Sequence, residues 1–422
     1  MFVKEKLNNG LRIITKHLSR VQSVALGIWI NIGSRYEDSR QKGISHFLEH
    51  LLFKGSKKYS CRAIKESIEG VGGSLNGFTS EEHTCYLVKI PHSFLPKALD
   101  ILSDMVLNPL LGAADIKKEK TVVLEELKMY RDLPQSYVNE LLDGLLWPGE
   151  PLGSPIIGTP ETVNQISRQD LVSFQSSRYT PANIVVSAAG RLDHDLLARK
   201  VKAIFSPQKG ATLNTFLGAR QAQGKPGLKI FAKGTEQTHM ALGFHALRRD
   251  HPLKHAQSIL HIILGANMSS RLFNEVREKR GLAYEIGTGL KRYHDTGVFL
   301  VHAGIDNRKV GDCLGLIFQE LGKTRKHPVT HDELKRAKEF YLGQLSLALE
   351  DTMEYMLWMG ESVACLDKVY SLAQIIKEVN EVSREEVAQA ARQIFKNEII
   401  NLALVGPLGK SEKQIYGRLN LG

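Results

Sequence analysis

The chain has few cysteines and no long apolar run, and both absences limit the kinds of protein it can be. Its 422 residues include four scattered cysteines without a C-x-x-C pair: Cys61, Cys85, Cys313 and Cys365. We therefore expect free, buried thiols in a reducing, cytoplasmic compartment rather than disulfides or a cysteine-held metal. No segment approaches the roughly 18 consecutive apolar residues of a membrane span. The first ten residues carry charges where a signal peptide would be apolar, so we expect neither secretion nor membrane insertion.

The basic residues also lack the arrangement that is typical of nucleic-acid-binding proteins. The formal net charge is +11, but lysine and arginine are spread along the chain without aromatic interleaving or a groove-reading motif. With 42% hydrophobic and 24% charged residues, the composition is that of a globular protein. The length suggests two or more domains. We expect no nucleic-acid partner.

Internal repetition indicates how these domains arose. Three pairs of segments recur in register, each 216 positions apart: Ala25-Leu26-Gly27 with Ala241-Leu242-Gly243, Val163–Leu171 with Val379–Val387, and Ile184–Gly190 with Ile400–Gly406. Matches in register over most of two halves indicate the duplication of one domain. We therefore predict domains at 1–205 and 228–422, joined by a linker at 206–227 that is rich in glycine, glutamine, lysine and alanine.

Strand and helix patterns alternate in both halves. Strand-like runs fall at Val24–Ile32, Thr84–Ile90, Ile184–Ala189, Leu228–Ala232, His239–Ala246, Gly297–Gly304 and Ile399–Val405. Amphipathic helical patterns such as Leu95–Leu107 lie between them. We predict an α+β fold of two homologous domains, each a mixed or antiparallel sheet with helices packed on one face.

One short stretch carries the most specific chemical signal. His46 and His50 are four residues apart, so on a helix both imidazoles lie on one face and can share a metal ion. Glu49 lies between them, which gives the H-x-x-E-H order of the inverted zinc peptidases. In such sites an unligated carboxylate acts as the general base. A buried helix that happens to carry two histidines is the alternative interpretation, although a metal would supply the partners that buried polar groups require.

An acidic helix can supply a third ligand. The segment Ala114–Met129 has an acidic first turn and apolar residues at helical spacing. Glu119 and Glu126 are two helical turns apart and share a face, so one can bind the metal while the other supports the site. The alternative is the solvated face of an ordinary charged helix.

Together these residues resemble the M16 peptidases, the group of pitrilysin, insulin-degrading enzyme and the mitochondrial processing peptidase. The resemblance rests on the H-x-x-E-H motif and on Glu119-x6-Glu126, and it extends over nearly the whole chain. It implies that His46, His50 and Glu126 bind one Zn²⁺ per chain and that Glu49 is the general base. Glu119 matches a second glutamate that the family keeps beside the third ligand.

The second half has no equivalent of this motif. At the repeat offset, Ile262, Gly265 and Ala266 stand opposite His46, Glu49 and His50. Ser269–Tyr284 resembles the family's second-half signature instead, and Arg277 and Tyr284 match its arginine and tyrosine, which contact the substrate near the scissile bond. Such groups can donate hydrogen bonds to an oxyanion. From the residues alone, a helix that ends at Gly281 with ordinary basic residues is the alternative.

Three further features of the resemblance concern substrate binding. Gly70–Thr79 lacks the G-x-G-x-x-G spacing of a nucleotide loop, and it resembles the family's G-G-x-x-N-A strand, to which substrate adds as an extra strand. Gly73 and Asn76 fall at matching positions, whereas Gly77 replaces the usual alanine. Phe53 matches an apolar wall for the residue after the cleaved bond. A hairpin turn with a core phenylalanine is the alternative.

The evidence for recognition of basic substrate residues is a weaker match to the family. Processing peptidases hold basic substrate residues with paired acids that follow the third ligand. Glu140 matches one of these acids, while Ser136 lies near the position of the other. The resemblance therefore implies a contact between Glu140 and a basic substrate residue.

The resemblance implies a zinc endopeptidase that cleaves oligopeptides or unfolded segments enclosed in a chamber. A noncatalytic subunit of a peptidase complex is the alternative. Because the metal lies in the first domain while Arg277 and Tyr284 lie in the second, we expect a two-fold homodimer in which these two residues act in trans. A heterodimer with an inactive homologue is also compatible with the sequence.

Overall fold

The computed structural model describes residues 2–208, 215–408 and 412–421, which include two mixed sheets. The strands are β1 Val3–Lys6, β2 Arg12–His17, β3 Ser23–Ile30, β4 Ser74–Thr79, β5 Thr84–Pro91, β6 Ile184–Gly190, β7 Gly227–Ala232, β8 Gln237–Ala246, β9 Ala283–Arg292, β10 Gly297–Asp306 and β11 Asn401–Gly406. Helices flank both sheets, so the predicted α+β fold with two similar domains is confirmed.

The helices share amphipathic patterns that place apolar residues against these sheets. They are α1 Ile44–Leu52, α2 Cys61–Glu69, α3 Leu95–Leu107, α4 Ala113–Asp132, α5 Pro134–Leu146, α6 Pro160–Gln165, α7 Arg168–Arg178, α8 His194–Phe205, α9 Lys254–Gly265, α10 Val310–Lys326, α11 His331–Ala348, α12 Thr352–Leu366, α13 Leu372–Glu381, α14 Arg384–Ile394 and α15 Glu412–Tyr416. None of the helices in the described ranges is long and apolar enough to cross a membrane.

The two sheets have related strand orders. The first is β1-β2-β6-β3-β5-β4 and the second is β7-β11-β8-β10-β9. In the first sheet only the β2–β6 pair is parallel among the described strands, and in the second only β7–β11 is. The repeat offset relates β3 to β8 and β6 to β11, and each of these pairs occupies equivalent places in the two sheets. The strand orders therefore agree with duplication of one domain.

The chain forms two compact units that are not contiguous in sequence. The first unit comprises Met1–Leu127, Ser154–Leu217 and Ser346–Tyr370, and the second comprises Lys128–Gly153, Gly218–Leu345 and Ser371–Gly422. This division differs from the predicted domains 1–205 and 228–422. Helix α5 comes from the first half of the chain but belongs to the second unit, and α12 comes from the second half but belongs to the first unit.

Glycines on the repeat-related strands explain where these two helices pack. On β3, a methyl group at Gly27 would lie 2.6 Å from Met356 Sδ of α12, and on β8 a methyl group at Gly243 would lie 2.9 Å from Leu142 Cδ1 of α5. The same strand position is therefore kept free of a side chain in both units, which lets a helix approach the sheet closely. Helical periodicity does not reveal which sheet a helix will cover, so the sequence did not predict this exchange.

The main core of the first unit lies under the opposite face of its sheet. Alternate residues of β3, from Val24 to Ile30, are buried there against α1 and α3. The apolar side of α1, which includes Phe47, Leu48 and Leu51, belongs to this core. Core packing therefore fixes the orientation of the helix that carries the H-x-x-E-H motif.

Each predicted strand is observed within a few residues of its predicted bounds. Several other observed strands were not predicted. β1 has the sequence Val-Lys-Glu-Lys and all four of its residues are exposed, so it has no alternating apolar pattern. β9 contains Gly287 and Gly289, which weaken a strand pattern. None of the four cysteines forms a disulfide within the described residues; Cys85 and Cys313 are buried, as predicted, whereas Cys61 and Cys365 are partly exposed.

Close helix packing predicts that Gly360 of α12 does not tolerate a side chain. Its added methyl group would lie 2.7 Å from Ser187 Oγ and closer still to Trp29 Nε1. We expect Gly360→Ala to lower the free energy of unfolding by about 1–3 kcal/mol, because the core is overpacked. Urea denaturation measures this effect. Gly343→Ala in α11 is the control, since nothing lies within 4 Å of its added methyl group; a Gly360→Ala protein as stable as this control would contradict the packing.

Candidate metal centre

Helix α1 positions the two histidines and Glu49. It begins after Gly43, whose φ of +92° is left-handed, and a side chain at Gly43 would also lie 2.6 Å from Ile157 O. The Glu37 carboxylate accepts hydrogen bonds from the backbone N–H groups of Gly43 (2.7 Å) and Ser45 (2.8 Å). Glu37 therefore satisfies two backbone N–H groups that have no partner within the helix.

Glu37 is a supporting residue that the sequence analysis missed. It is buried, and burial raises the pKa of its carboxyl group to about 8, although the N–H donors oppose this rise. A glutamate ahead of a glycine-initiated helix is a weak signal in sequence, because the contact depends on the loop between them. In the structure, the two hydrogen bonds of Glu37 hold the start of α1, the helix that carries the H-x-x-E-H motif.

The imidazoles of α1 meet Glu126 of α4. The His46 and His50 ring centroids are 4.7 Å apart. Glu126 Oε2 lies 3.8 Å from His46 Nε2 and 3.5 Å from His50 Nε2. One ligand atom from each of the three residues lies within 4.8 Å of the others, and no other such group of histidine, cysteine or acidic residues occurs in the described chain.

These residues fit a metal ion in number, chemistry and spacing. Two imidazole nitrogens and one carboxylate oxygen are a common protein ligand set for zinc, with bonds of about 2.0–2.2 Å. In a tetrahedron such bonds place ligand atoms about 3.4 Å apart, close to the observed separations around Glu126. His46 Nδ1 is buried and has no hydrogen-bond partner among the described residues. The imidazole is therefore poorly satisfied by protein groups alone.

Protonation supports the same conclusion. Burial, followed by the nearby His50 charge, lowers the pKa of His46 to about 4, so its imidazole is neutral near pH 7. A hydrogen bond from His50 lowers the pKa of Glu126. Burial would lower the pKa of His50, but Glu126, Glu49 and Glu119 outweigh burial and raise it. His46 and Glu126 are thus in the forms that bind a cation, a neutral imidazole and an ionised carboxylate, whereas His50 gives up its proton when a cation binds.

Glu49 lies beside the ligand group without being part of it. Thr79 Oγ1 donates a hydrogen bond of 2.8 Å to Glu49 Oε2. Burial raises the pKa of Glu49, while this hydrogen bond acts in the opposite direction. Thr79 ends β4, so strand and helix together orient the carboxylate. Thr79 was expected only as the end of the glycine-rich segment, and its contact with Glu49 was not predicted.

Glu119 contacts the Nδ1 side of the His50 ring, whereas Glu126 faces its Nε2 side. Its carboxylate is buried, and its Oε2 lies 3.4 Å from His50 Nδ1. Its other oxygen, Oε1, lies 2.7 Å from Lys54 Nζ. The predicted supporting position of Glu119 agrees with this geometry, whereas Lys54 was not predicted.

The predicted substrate strand is the edge strand β4. Gly73 immediately precedes it, and Asn76 lies within it and accepts a hydrogen bond from the Gly77 N–H (2.9 Å). Phe53 is partly buried against the core and packs over Gly77. β4 pairs with β5, and no described strand pairs with its other side.

Arg277 and Tyr284 are close together within the second unit. Arg277 belongs to the π-helical segment Phe273–Glu278. Its guanidinium carbon lies 4.7 Å from the Phe273 ring centroid and 5.5 Å from that of Tyr284. Tyr284 is 74% exposed, which leaves the side chain available for contacts outside its unit. Gly281 has a φ of +56° and donates its N–H to Arg277 O, so the segment also ends in a helix-terminating glycine.

Glu140 lies on α5 and belongs to the second unit. Its Oε1 is 3.5 Å from Arg131 Nη2. Burial raises the pKa of Glu140, and Arg131 opposes the rise. A basic substrate residue would compete with Arg131 for this carboxylate, and the predicted role of Glu140 in binding basic residues stays a prediction.

Two family models match successive parts of the chain. The model described as "Insulinase (Peptidase family M16)" matches residues 12–160. The model described as "Peptidase M16 inactive domain" matches residues 165–341. The first match contains both helices of the candidate metal centre, and the second contains Arg277 and Tyr284.

Full-length similarity extends to curated bacterial proteins. The chain is 37% identical to the uncharacterized zinc protease YmxG of Bacillus subtilis, covering 97% of this chain and 99% of that protein. It is 36% identical to an uncharacterized zinc protease of Streptomyces coelicolor, covering 95% and 89%. A crystal structure of a protease from Helicobacter pylori superposes with a TM-score of 0.90, covering 96% of this chain and 99% of that one, at 22% identity. That structure shows the same fold.

Gly77 is closely packed, so alanine, the usual residue at this position of the G-G-x-x-N-A strand, should destabilise this protein. Its added methyl group would lie 3.0 Å from Phe53 Cζ and 3.3 Å from Glu49 Cγ. We expect Gly77→Ala to lower the free energy of unfolding by about 1 kcal/mol, because both side chains must move. Urea denaturation measures the change against Gly289→Ala of β9, where the nearest atom, Leu300 Cδ2, is 3.6 Å away. Equal stability of the two variants would show that Phe53 and Glu49 adapt freely.

Proposed function

The chain belongs to peptidase family M16, and from this premise we propose that it is a zinc-dependent endopeptidase. The main support for this proposal is that His46, His50 and Glu126 come together within one unit. Glu49 lies beside this group rather than in it. We assign the three converging residues as ligands of one zinc per chain. The names of the curated relatives support zinc as the metal.

The residues of the first unit suit peptide hydrolysis. Bound there, zinc supplies a Lewis acid that polarises a carbonyl group and lowers the pKa of water to about 7. Glu49 takes the proton of the attacking water on its carboxylate and passes it to the leaving amine. Thr79 holds Glu49 Oε2 through its hydroxyl, so the carboxylate keeps one direction during both transfers. The raised pKa of Glu49 makes its carboxylate a stronger base toward that water than an ordinary glutamate is.

The substrate is an extended peptide. The unpaired side of β4 offers backbone groups to which an oligopeptide or unfolded segment can add as a further strand. Gly73 and Asn76 would contact this strand, and Phe53 would form an apolar wall beside it. A folded polypeptide cannot supply such a strand without local unfolding, so we propose oligopeptides and unfolded segments as substrates.

We base the proposed assembly on the way in which the proposed site residues are divided between the two units. The ligand group and Glu49 are in the first unit, while Arg277 and Tyr284 are in the second. We propose a two-fold homodimer around a chamber, in which Arg277 and Tyr284 of one protomer act at the zinc site of the other. Both side chains can donate to the developing oxyanion. A heterodimer with an inactive homologue, and a noncatalytic role of this chain, are the alternatives.

Replacing Glu49 separates zinc binding from catalysis. We expect Glu49→Gln to bind zinc as wild type does and to lose about 10²–10⁴-fold in peptide hydrolysis, because the general base is absent. Zinc content by elemental analysis and a quenched peptide assay measure the two effects.

Two neighbouring glutamates of α4 give a matched control. We expect Glu126→Gln to lose zinc and activity, whereas Glu125→Gln retains both, since Glu125 is exposed on another side of the helix. A wild-type protein without zinc, or a Glu49→Gln protein that hydrolyses peptides at the wild-type rate, would exclude the proposed enzyme. Zinc binding without hydrolysis by the wild-type chain would favour the noncatalytic subunit.

Mixed dimers test the action in trans. Glu49→Gln and Tyr284→Phe chains, each of low activity alone, are dissociated together and reassembled. If Tyr284 serves the partner's site, a mixed dimer has one site with both defects and one with neither, so activity reappears. If both residues serve the same chain, every site keeps a defect and no activity is recovered.

A further inference from the structure

The buried Glu119 carboxylate connects a lysine to one of the proposed zinc ligands. Its Oε1 lies 2.7 Å from Lys54 Nζ, and its Oε2 lies 3.4 Å from His50 Nδ1. On the other side of the same imidazole, His50 Nε2 lies 3.5 Å from Glu126 Oε2. Lysine, carboxylate, imidazole and the third proposed ligand therefore form a continuous series of polar contacts.

Charge explains why Lys54 is needed in this series. The Glu119 side chain is only 3% exposed, and a buried carboxylate is costly unless a cation or hydrogen-bond donors compensate it. Lys54 supplies a positive charge while remaining 31% exposed, so its ammonium group keeps part of its hydration. Without this ion pair, Glu119 would retain its contact with His50 but lose the cation at its other oxygen.

The position of Lys54 along the chain also matters. It follows the last residue of α1 by two positions and donates its backbone N–H to Leu51 O (3.0 Å). Its backbone is thereby fixed to the helix that carries His50, one turn beyond it. The histidine on the helix and the lysine just after it reach the same carboxylate, and this holds Glu119 at a defined distance from both.

An imidazole that donates from Nδ1 presents its Nε2 lone pair on the opposite side of the ring. Metal-bound histidines commonly make such a second contact to a carboxylate, which fixes the tautomer and the ring orientation. Here Glu119 accepts from Nδ1, and Nε2 faces Glu126. The direction of the Glu119 carboxylate therefore decides the direction of the His50 lone pair.

We propose that Lys54 is a positioning residue of the metal centre, which acts through Glu119 to hold the His50 ring in its ligating orientation. This inference rests on the proposed function, since it assigns a role in zinc binding. Lys54 contacts neither the metal ligands nor Glu49 in the described hydrogen bonds and ion pairs. Its effect is therefore on zinc affinity and on the geometry of the site.

The test measures zinc dissociation constants by competition with a chelator for the full chain and its variants. We expect Lys54→Met to weaken zinc binding about 10–100-fold, the size of effect typical of groups that orient a metal ligand. Lys54→Arg should restore affinity to within about threefold of wild type. Lys58→Met is the control: Lys58 makes an ion pair of the same 2.7 Å length with Asp100, but at the surface, and its loss should leave zinc affinity unchanged.

Two further measurements separate positioning from a general loss of structure. If Lys54 acts through Glu119, Lys54→Met should have no further effect on zinc affinity in a Glu119→Gln background, because effects within one contact series are not additive. The visible absorption spectrum of the cobalt-substituted protein should change in Lys54→Met and recover in Lys54→Arg. Urea denaturation of the metal-free proteins reports whether each variant is folded.

The outcomes of the two proposals are distinguishable. A wild-type chain that binds no zinc overturns the proposed function itself. A wild-type chain that binds zinc, together with a folded Lys54→Met variant of equal affinity, overturns only the role of Lys54. Additive losses of affinity for Lys54→Met and Glu119→Gln would likewise show that Lys54 does not act through Glu119.

Discussion

Carboxylates can be buried next to one another only if each has its own compensating partner. Four glutamates at or near α1 in the first unit meet this requirement. Glu37 is compensated by backbone N–H groups, Glu49 by the Thr79 hydroxyl, Glu119 by Lys54 and Glu126 by His50. These partners differ in charge and in donor strength, so the four acids differ in character. The pKa of Glu37 and of Glu49 is raised by burial, whereas that of Glu126 is lowered by its histidine partner. The roles proposed for these four glutamates differ in the same way, because each carboxyl group has its own partner.

This constraint also explains why the site needs both local and distant sequence. The spacing of His46, Glu49 and His50, and that of Glu119 and Glu126, are helical properties that can be predicted from sequence because they depend on 3.6 residues per turn. Strands β3, β5 and β6 can be predicted because their apolar residues are continuous and bounded. The fold class and the duplication follow from the same local patterns and from the constant offset.

The remaining features depend on contacts that local pattern does not encode. Thr79 reaches Glu49 across 30 positions, and Lys54 reaches Glu119 across 65, so neither contact has a periodic signature. The exchange of α5 and α12 is a property of tertiary packing, because both sheets keep the same strand position free of a side chain, at Gly27 and at Gly243. An exposed edge strand such as β1 is held by backbone pairing with β2 rather than by burial of its side chains. These are the places where tertiary contacts override sequence pattern.

The loss of the ligand motif from the second copy has a steric explanation. At the repeat offset Gly265 corresponds to Glu49, and α9 packs on β9 as α1 packs on β4. A methyl group at Gly265 would lie 2.6 Å from Thr288 Cγ2 and 2.7 Å from the Thr288 backbone nitrogen. A threonine of the edge strand thus contacts the helix in both units, but in the first it donates to a glutamate and in the second it packs against a glycine.

Thr288 also has a different partner, since its hydroxyl lies 2.7 Å from His261 Nδ1. A glutamate at position 265 would have to displace this contact and move the backbone of β9. The second unit therefore has no room for a glutamate at position 265 unless Thr288 and the strand backbone shift. The same close approach positions the start of β9, where the exposed Tyr284 lies. Duplication has thus left one copy with room for an acid between helix and edge strand, and the other with a tightly packed strand that presents a phenol to solvent.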